Sequence, residues 1–589
     1  MPPRSGAQLL EGNAVQFSIW APVPRRLELV LPGGRFIELA RDGEGYATTR
    51  VEGLGAGTRY QYRLDGSDLR PDPAAALLPD GVHGPAEVVD LAFPFTAKDF
   101  RARPLRDWTI YELHVGTFSK EGTFAGVERA LPYLKELGIN TIELMPVAPF
   151  PGARNWGYDG INLYGVQASY GGPRGLQQLV DAAHRHGIGV VLDVVYNHLG
   201  PEGNYASQFM PFFTHAHHTP WGDGINYDGA QSAGVRRFVL DAALRWFETF
   251  LLDGLRLDAV HGIVDGSQEH VLQQLSRELE SYRSGSGRGA VLIAESDLGE
   301  SRVVRERPAG WGMDAQWSDD FHHALHARLT GEKASYYVDH GRSAQVATAM
   351  ARGYVYEGEA STFRGKPWGD STAGVPPERF VVCAQNHDQI GNRARGERLS
   401  HLVPMEKVRL AAVATLLAPH VPMLFQGEEY GARGPFQYFT SHTDPALARA
   451  VSEGRAREFP ELKDVSDIPD PQALETFARS TLDLLERQQE GHAELFALHH
   501  ALLALRAQHP SLGCVTPTVT CEGEVVRIER ATDRERSLVL LSFAATDVPL
   551  PRLPPGLTRL LDSADVRFGG PGAGATLRPF SAQVWLDAL

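Results

Sequence analysis

Eight short apolar runs between Trp108 and Phe425, with helix-period segments separating them, constrain this chain more than any other feature. The runs are Trp108–Leu113, Thr141–Met145, Gly189–Val195, Gly254–Val260, Ala290–Ala294, Met313–Trp317, Phe380–Ala384 and Val421–Phe425. Helical periodicity occupies, among others, Ala125–Leu137, Leu176–His186, Val235–Leu252, Gln268–Glu280 and Glu406–Leu417. Alternation of this kind predicts parallel strands joined by crossover helices, because strands buried on both faces read as unbroken apolar runs. Eight such units are the count of a (β/α)8 TIM barrel. Two βα links are long: Leu199–Gln231 after the third run, and a Gly- and aromatic-rich stretch after the sixth. In this architecture such loops gather at the C-terminal face, where active sites are built.

The flanks read differently. Ala14–Ile19, Arg26–Leu31 and Arg59–Leu64 alternate apolar with polar residues, and turn-forming Pro32-Gly33-Gly34 and Gly53–Gly57 separate them. A small antiparallel sandwich is predicted, ending at the Arg70–Pro73 link and the Pro79–Pro85 loop. His492–His509 is a last amphipathic helix stopped by Pro510, and strand-like Thr516–Thr520, Glu524–Arg530 and Ser537–Phe543 follow. The predicted division is 1–100, a β-sandwich; 101–510, the barrel; and 511–589, a second antiparallel β-sandwich.

Composition serves mainly to exclude. With 43% hydrophobic and 22% charged residues among 589, the chain is a folded globular protein. Acids outnumber bases, 72 to 57, for a formal charge of −15, which disfavours a nucleic-acid partner. Met1 to Asn13 holds no apolar core of a secretory signal. Leu410–Phe425 is broken by Pro419, His420 and Pro422 and is too short to span a bilayer, so no membrane partner is expected. Cys383, Cys514 and Cys521 form no disulfide framework and no zinc spacing, which fits a reducing cytoplasm. No Gly-loop of the dinucleotide type opens a helix, and neither nucleotide cofactor nor metal is expected. The oligomeric state stays open.

Four barrel strands carry polar residues where strand becomes loop: DVVYNH (Asp193–His198), GLRLDAVH (Gly254–His261), AESD (Ala294–Asp297) and QNHDQ (Gln385–Gln389). A charge at the end of a buried apolar strand is costly unless paired, so a single one is equally well a water-satisfied strand end. Several from one barrel would meet in a single cleft. Asp258, Glu295 and Asp388 would converge there, with Arg256 compensating charge. Paired carboxylates are the equipment of glycoside hydrolysis, one ionised as nucleophile and the other protonated as acid.

These four segments, in this order and on strands three, four, five and seven, resemble the signature regions of the α-amylase superfamily of glycoside hydrolases. The resemblance implies Asp258 as nucleophile, Glu295 as general acid/base and Asp388 as the carboxylate that binds hydroxyls of the −1 sugar. It implies that Arg256 orients Asp258, that His198 and His387 hydrogen-bond the −1 sugar, and that Tyr158 in NWGYDG stacks on it. FSIWAP (Phe17–Pro22) ahead of the barrel is similar to the subgroup of branching, debranching and trehalose-releasing enzymes, whose N-terminal sandwich is immunoglobulin-like. Region four, NHDQIGNR (Asn386–Arg393), has Gln389 where branching enzymes carry Glu. With LFQGEEYGARGPFQYFTSH (Leu424–His442), DAQWSDDFHHALH (Asp314–His326) and PDGVHGPAEVVD (Pro79–Asp90), it resembles the trehalose-releasing members. The implied reaction is hydrolysis of the α-1,4 bond beside the terminal trehalose of maltooligosyltrehalose. A branching transferase and a non-catalytic α-glucan-binding barrel are the rival readings.

Secondary candidates follow from the same loops. Trp156, beside Tyr158, and His261, after the nucleophile strand, are read as substrate contacts, whereas Trp221, Tyr227, Phe363, Trp368, Tyr430, Phe436 and Tyr438 are read first as loop anchors and second as sugar platforms. Asp193 and Asn197 are expected to pair structurally in the third loop. Glu428 and Glu429 are expected to ion-pair with Arg433 or Arg393, and Asp319 and Asp320 to reach sugar hydroxyls. The N-terminal sandwich is expected to pack and not to bind glucan.

Overall fold

The computed structural model describes residues 4–459 and 468–588; residues 1–3, part of the segment read above for a leader, lie outside that range, as do 460–467 and 589. Eight strands close a parallel barrel in sequence order: β1 (Ile110–Leu113), β2 (Thr141–Leu144), β3 (Gly189–Val194), β4 (Gly254–Leu257), β5 (Val291–Ala294), β6 (Ala315–Trp317), β7 (Phe380–Val382) and β8 (Val421–Phe425), with β8 pairing back on β1. Every apolar run forms a strand. The strands stop one to three residues short of several runs' ends because the last residues turn into loops, and those residues carry the site.

Crossover helices include α1 (Phe124–Leu137), α2 (Gly172–Arg185), α3 (Ser232–Phe250), α4 (Val271–Ser286), α5 (Asp319–Thr330) and α6 (Met405–Leu416). Their ends follow capping chemistry. The Thr123 hydroxyl accepts the Gly126 N–H at the start of α1, and Ser318 accepts Phe321 N–H at the start of α5. Gly138 closes α1 in the left-handed region at φ 107°.

Before the barrel lie two antiparallel sheets, Gly6–Leu10/Ala14–Trp20/Tyr46–Glu52 and a second one centred on Leu27–Val30 and Arg59–Leu64. Trp20 packs its indole on α3 at Gly234, where any side chain would collide with the ring. Beyond α7 (His492–Gln508), a five-stranded antiparallel sheet runs in the order Thr518–Glu522, Val525–Ala531, Glu535–Ser542, Ser581–Ala588, Thr558–Asp562. Arg328 of α5 ties it to the barrel by donating to Glu524 at 2.8 Å. Among the described residues no helix is long and apolar enough to cross a membrane.

Candidate active site

The C-terminal mouth of the barrel holds a cleft of about 560 Å³, and the strand ends deliver their side chains into it. Tyr158, Trp156, His198, Asp258, His261, Glu295, His387, Asp388 and Gln389 all line it, so the contacts expected from separate parts of the sequence meet in one place. Arg256 lies just beneath, fully buried.

Strand register explains the arrangement. Asp193 on β3 and Arg256 on β4 are Cα partners, so both project into the barrel side by side. Asp258 follows Arg256 by two residues and keeps its side. Arg256 Nη1 donates to Asp193 at 2.8 and 2.9 Å and to Asp258 Oδ1 at 3.0 Å, and its Nη2 lies 2.9 Å from Glu295 Oε2. One guanidinium therefore spans three carboxylates, which a lysine point charge could not do. Burial opposes its charge, but Asp193, Glu295 and Asp258 together hold it firmly protonated.

The residue after the nucleophile candidate is strained. Ala259 adopts φ 38°, a left-handed conformation that non-glycine residues avoid. That twist aims its N–H at Glu295 Oε2, 2.8 Å away. Strain at such a position is tolerated where surrounding structure enforces it. On strand seven the device is a cap: Asn386 accepts the N–H groups of Asp388 and Gln389, opening a short turn of helix, His387–Gly391, that sets Asp388 at the cleft. Asp388 accepts from Asn392 at 2.7 Å, and Gln389 Oε1 is buried beside it without a partner.

The carboxyl charges are tightly linked. Burial, then the neighbouring Glu295 charge, pushes the Asp258 carboxyl well up. Glu295 pays the same burial but is held down by Arg256 and by the Ala259 N–H. The expected separation of the two pKa values is present, yet in the open cleft its direction is the reverse of the acid/nucleophile split. Asp388 is raised by burial despite His387, and Asp319, also on the cleft wall, is raised strongly by burial and by Glu295.

Behind the cleft-lining layer runs a relay that the sequence did not reveal. Glu112 of β1 accepts the His387 backbone N–H at 3.0 Å and pairs with its Nδ1. Burial works against an imidazolium there, but Glu112 overrides it and raises His387 to about 9. His387 Nε2 meets the Tyr158 hydroxyl at 2.9 Å, and that hydroxyl donates to Asp193 at 2.6 Å. The sequence signal was a lone Glu at an inward position of an apolar strand, in YEL. Glu143, its register partner on β2, carries the same signal; it is fully buried, has no hydrogen-bond partner, and burial drives it strongly toward the neutral acid.

Several expectations change. Asp193 does not pair with Asn197: it holds Arg256 and Tyr158, while Asn197 contacts His198 Nδ1 at 2.9 Å. Sequence proximity suggested a loop pair, but Asp193 sits on the strand and Asn197 past its end. Glu428 and Glu429 form no ion pair with Arg433 or Arg393. Glu429 accepts from the hydroxyls of Tyr111 (3.0 Å) and Tyr133, and Glu428 from Phe425 N–H; Arg393 pairs with Glu332 and Arg433 bonds Glu486 and Gln489. Burial lifts Glu428 to about 8. Asp320 turns away from the main cleft to accept the N–H groups of Val355 and Tyr356.

The aromatic residues divide. Tyr227, Tyr430 and Phe436 are buried anchors. Trp221 is 42% exposed and stacks on His198 at 5.4 Å, and Phe363 is 47% exposed; both face the cleft. Trp156 lines the cleft but gives one face to Phe436 and its indole N–H to Gln437 O. Tyr158 stacks on His387 at 5.2 Å, and His261 Nδ1 accepts the Asp297 N–H.

An arginine clamped between acids at the C-terminal mouth of a (β/α)8 barrel defines a glycoside-hydrolase barrel of the α-amylase class, and the alpha amylase catalytic domain matches residues 94–220. A malto-oligosyltrehalose trehalohydrolase of Saccharolobus solfataricus is 43% identical over 506 residues, covering 86% of this chain and 87% of its own. One from Rhizobium sp. (strain M-11) is 42% identical over 99% of this chain and all of its own length. The chain belongs to the malto-oligosyltrehalose trehalohydrolase family. A crystal structure of a protein from Salmonella typhimurium superposes with TM-score 0.90 at 38% identity, covering 99% of both chains. A pullulanase from Anoxybacillus sp. LM18-11, 16% identical with TM-score 0.72 over 99% of this chain and 87% of its own, shares the fold. A branching enzyme of Mesorhizobium japonicum matches at 28% over 54% of the chain and 50% of its own.

Proposed function

We propose that this protein hydrolyses the α-1,4 bond next to the terminal trehalose of maltooligosyltrehalose, releasing trehalose and a maltooligosaccharide with retained configuration. The observation that carries the reading is the Arg256 clamp, which holds Asp258 and Glu295 on one guanidinium in a chain more than 40% identical to named trehalohydrolases. A retaining pair needs its carboxyls only about 5–5.5 Å apart, and a shared arginine favours that spacing over a wider one.

In the first step Glu295 gives its proton to the glycosidic oxygen while an Asp258 oxygen bonds to the −1 anomeric carbon, and trehalose departs as an alcohol. Glu295 then takes a proton from water, whose oxygen attacks the same carbon and breaks the ester to Asp258. For this, Glu295 must carry a proton and Asp258 must be ionised once substrate is bound. Arg256 then holds the freed Asp258 carboxylate. Asp388 binds −1 hydroxyls, Tyr158, His198 and His387 frame that sugar, and Gln389, His261 and Trp156 supply further contacts.

The division into 1–100, 101–510 and 511–589 is part of the same proposal, with the N-terminal sheets packing on α3. Three free thiols support a reducing, cytoplasmic setting. Purified protein given maltooligosyltrehalose and, separately, plain maltooligosaccharide is expected to release trehalose from the first and cleave little of the second. Equal cleavage of both, or new α-1,6 linkages in amylose, would overturn the assignment.

A further inference from the structure

Beside the catalytic cleft, sharing Asp297, Asp319, His323, Tyr336, Phe363 and Arg364 with it, lies a second, small hollow of about 40 Å³. We propose that Asp320, His323 and His340, on its wall, bind one divalent transition-metal ion, with Zn²⁺ the best match. Ligand atoms of the three residues lie within 4.8 Å of one another, and two imidazoles with one carboxylate are a donor set suited to zinc and its neighbours.

The fold builds this set from parts that sequence spacing hides. Asp320 and His323 stand at i and i+3 on α5, hence on one face of the helix. His340 comes from the residue that ends a 3₁₀ turn, Ser335–Asp339. The histidine has a nitrogen to spare: His340 is 2% exposed, and its Nδ1 has no hydrogen-bond partner. A buried ring nitrogen left unpaired forgoes a hydrogen bond that a bound ion would replace. Asp320 is supported from behind, with Oδ2 accepting Val355 N–H at 2.6 Å and Tyr356 N–H at 3.2 Å, as outer partners fix a metal-binding carboxylate.

Charge is compatible with the assignment. Burial keeps both imidazoles below their usual range, His340 at about 4, so they present lone pairs at neutral pH. Of the nearby cations, Arg364 is tied to Asp297 and lies over Trp368, and Lys333 donates to the His340 carbonyl, while Arg342 stands farther along the same segment. The hollow leaves room for water or a hydroxyl to complete the coordination. An ion here would lock α5 to the segment after it, and both form the wall carrying Asp319, His323 and Tyr336.

The test uses untagged, chelator-treated full-length protein and Co²⁺ or Zn²⁺ alone, with readouts independent of hydrolysis. Expected are one ion per chain by equilibrium dialysis and visible d–d absorption with Co²⁺. His323→Ala and His340→Ala should each remove the bands and weaken binding more than about 100-fold, since even outer-partner losses cost about 10–100-fold. His340→Gln is the milder variant should alanine compromise folding. His217→Ala, at a surface pair with Asp228, should leave binding intact. No uptake by wild-type protein, or bands that persist in the His323 and His340 variants, would overturn the site.

Discussion

Strands four and five and strand eight end alike on paper, each with buried carboxylates at the barrel mouth, yet they do opposite things. Asp258 and Glu295 face the cleft and share Arg256. Glu428 and Glu429 turn into the wall, where two tyrosine hydroxyls donate to Glu429 Oε1 and a backbone N–H donates to Glu428. Asp258, Glu428 and Glu429 are buried and Glu295 is partly so, and both pairs carry raised pKa values at one or both members, so titration does not separate them. What separates them is partnership with a cation that leaves lone pairs aimed at open space. An acid whose donors all come from neutral protein groups is a fixture of the fold. One balanced by a guanidinium and exposed to a cavity is equipped for chemistry.

The comparison sharpens under substitution. Asp258→Asn should lower kcat by more than about 10⁴-fold, as loss of an attacking group does, measured on maltooligosyltrehalose. Glu295→Gln should cost about 10²–10⁴-fold, and less with a substrate whose leaving group needs no proton. Equal losses on both substrates would break its assignment as acid.

Glu112→Gln probes the layer beneath. His387 is raised to about 9 by Glu112, so its charge-linked stabilisation is full below about 6.5 and is lost as pH climbs through 9. The variant should move the alkaline limb of kcat/KM to lower pH, because burial then acts on His387 without its counter-charge, seen in a pH–rate profile. An unchanged profile would detach Glu112 from the site. The smallest effect on catalysis belongs to strand eight. Glu429→Ala should leave turnover unaltered while costing about 1–3 kcal/mol of stability in a denaturant melt, because two buried hydroxyls lose their acceptor. A large drop in kcat for the folded variant would erase the contrast.

The sequence made some of this legible and not the rest. Apolar runs marked all eight barrel strands, since a strand buried on both faces leaves no other pattern. Asp258, Glu295, Asp388 and Arg256 were visible because polar residues interrupted those runs at their ends. Glu112 interrupts β1 in the same way, but one charge inside a short strand does not say which partner, from a segment 275 residues away, will neutralise it. Asp193 was misplaced because neighbours in sequence suggested a loop pair, while barrel register assigned it to Arg256. The Asp320, His323 and His340 trio matches no spacing motif, and only the turn after α5 brings it together.

The most direct measurement traps the covalent intermediate. Glu295→Gln protein incubated with an α-maltosyl fluoride, whose leaving group departs unprotonated, should accumulate a glycosyl ester that peptide mass spectrometry locates on Asp258. An ester on Glu428, Glu429 or any other residue, or none at all while fluoride is released, would contradict the account.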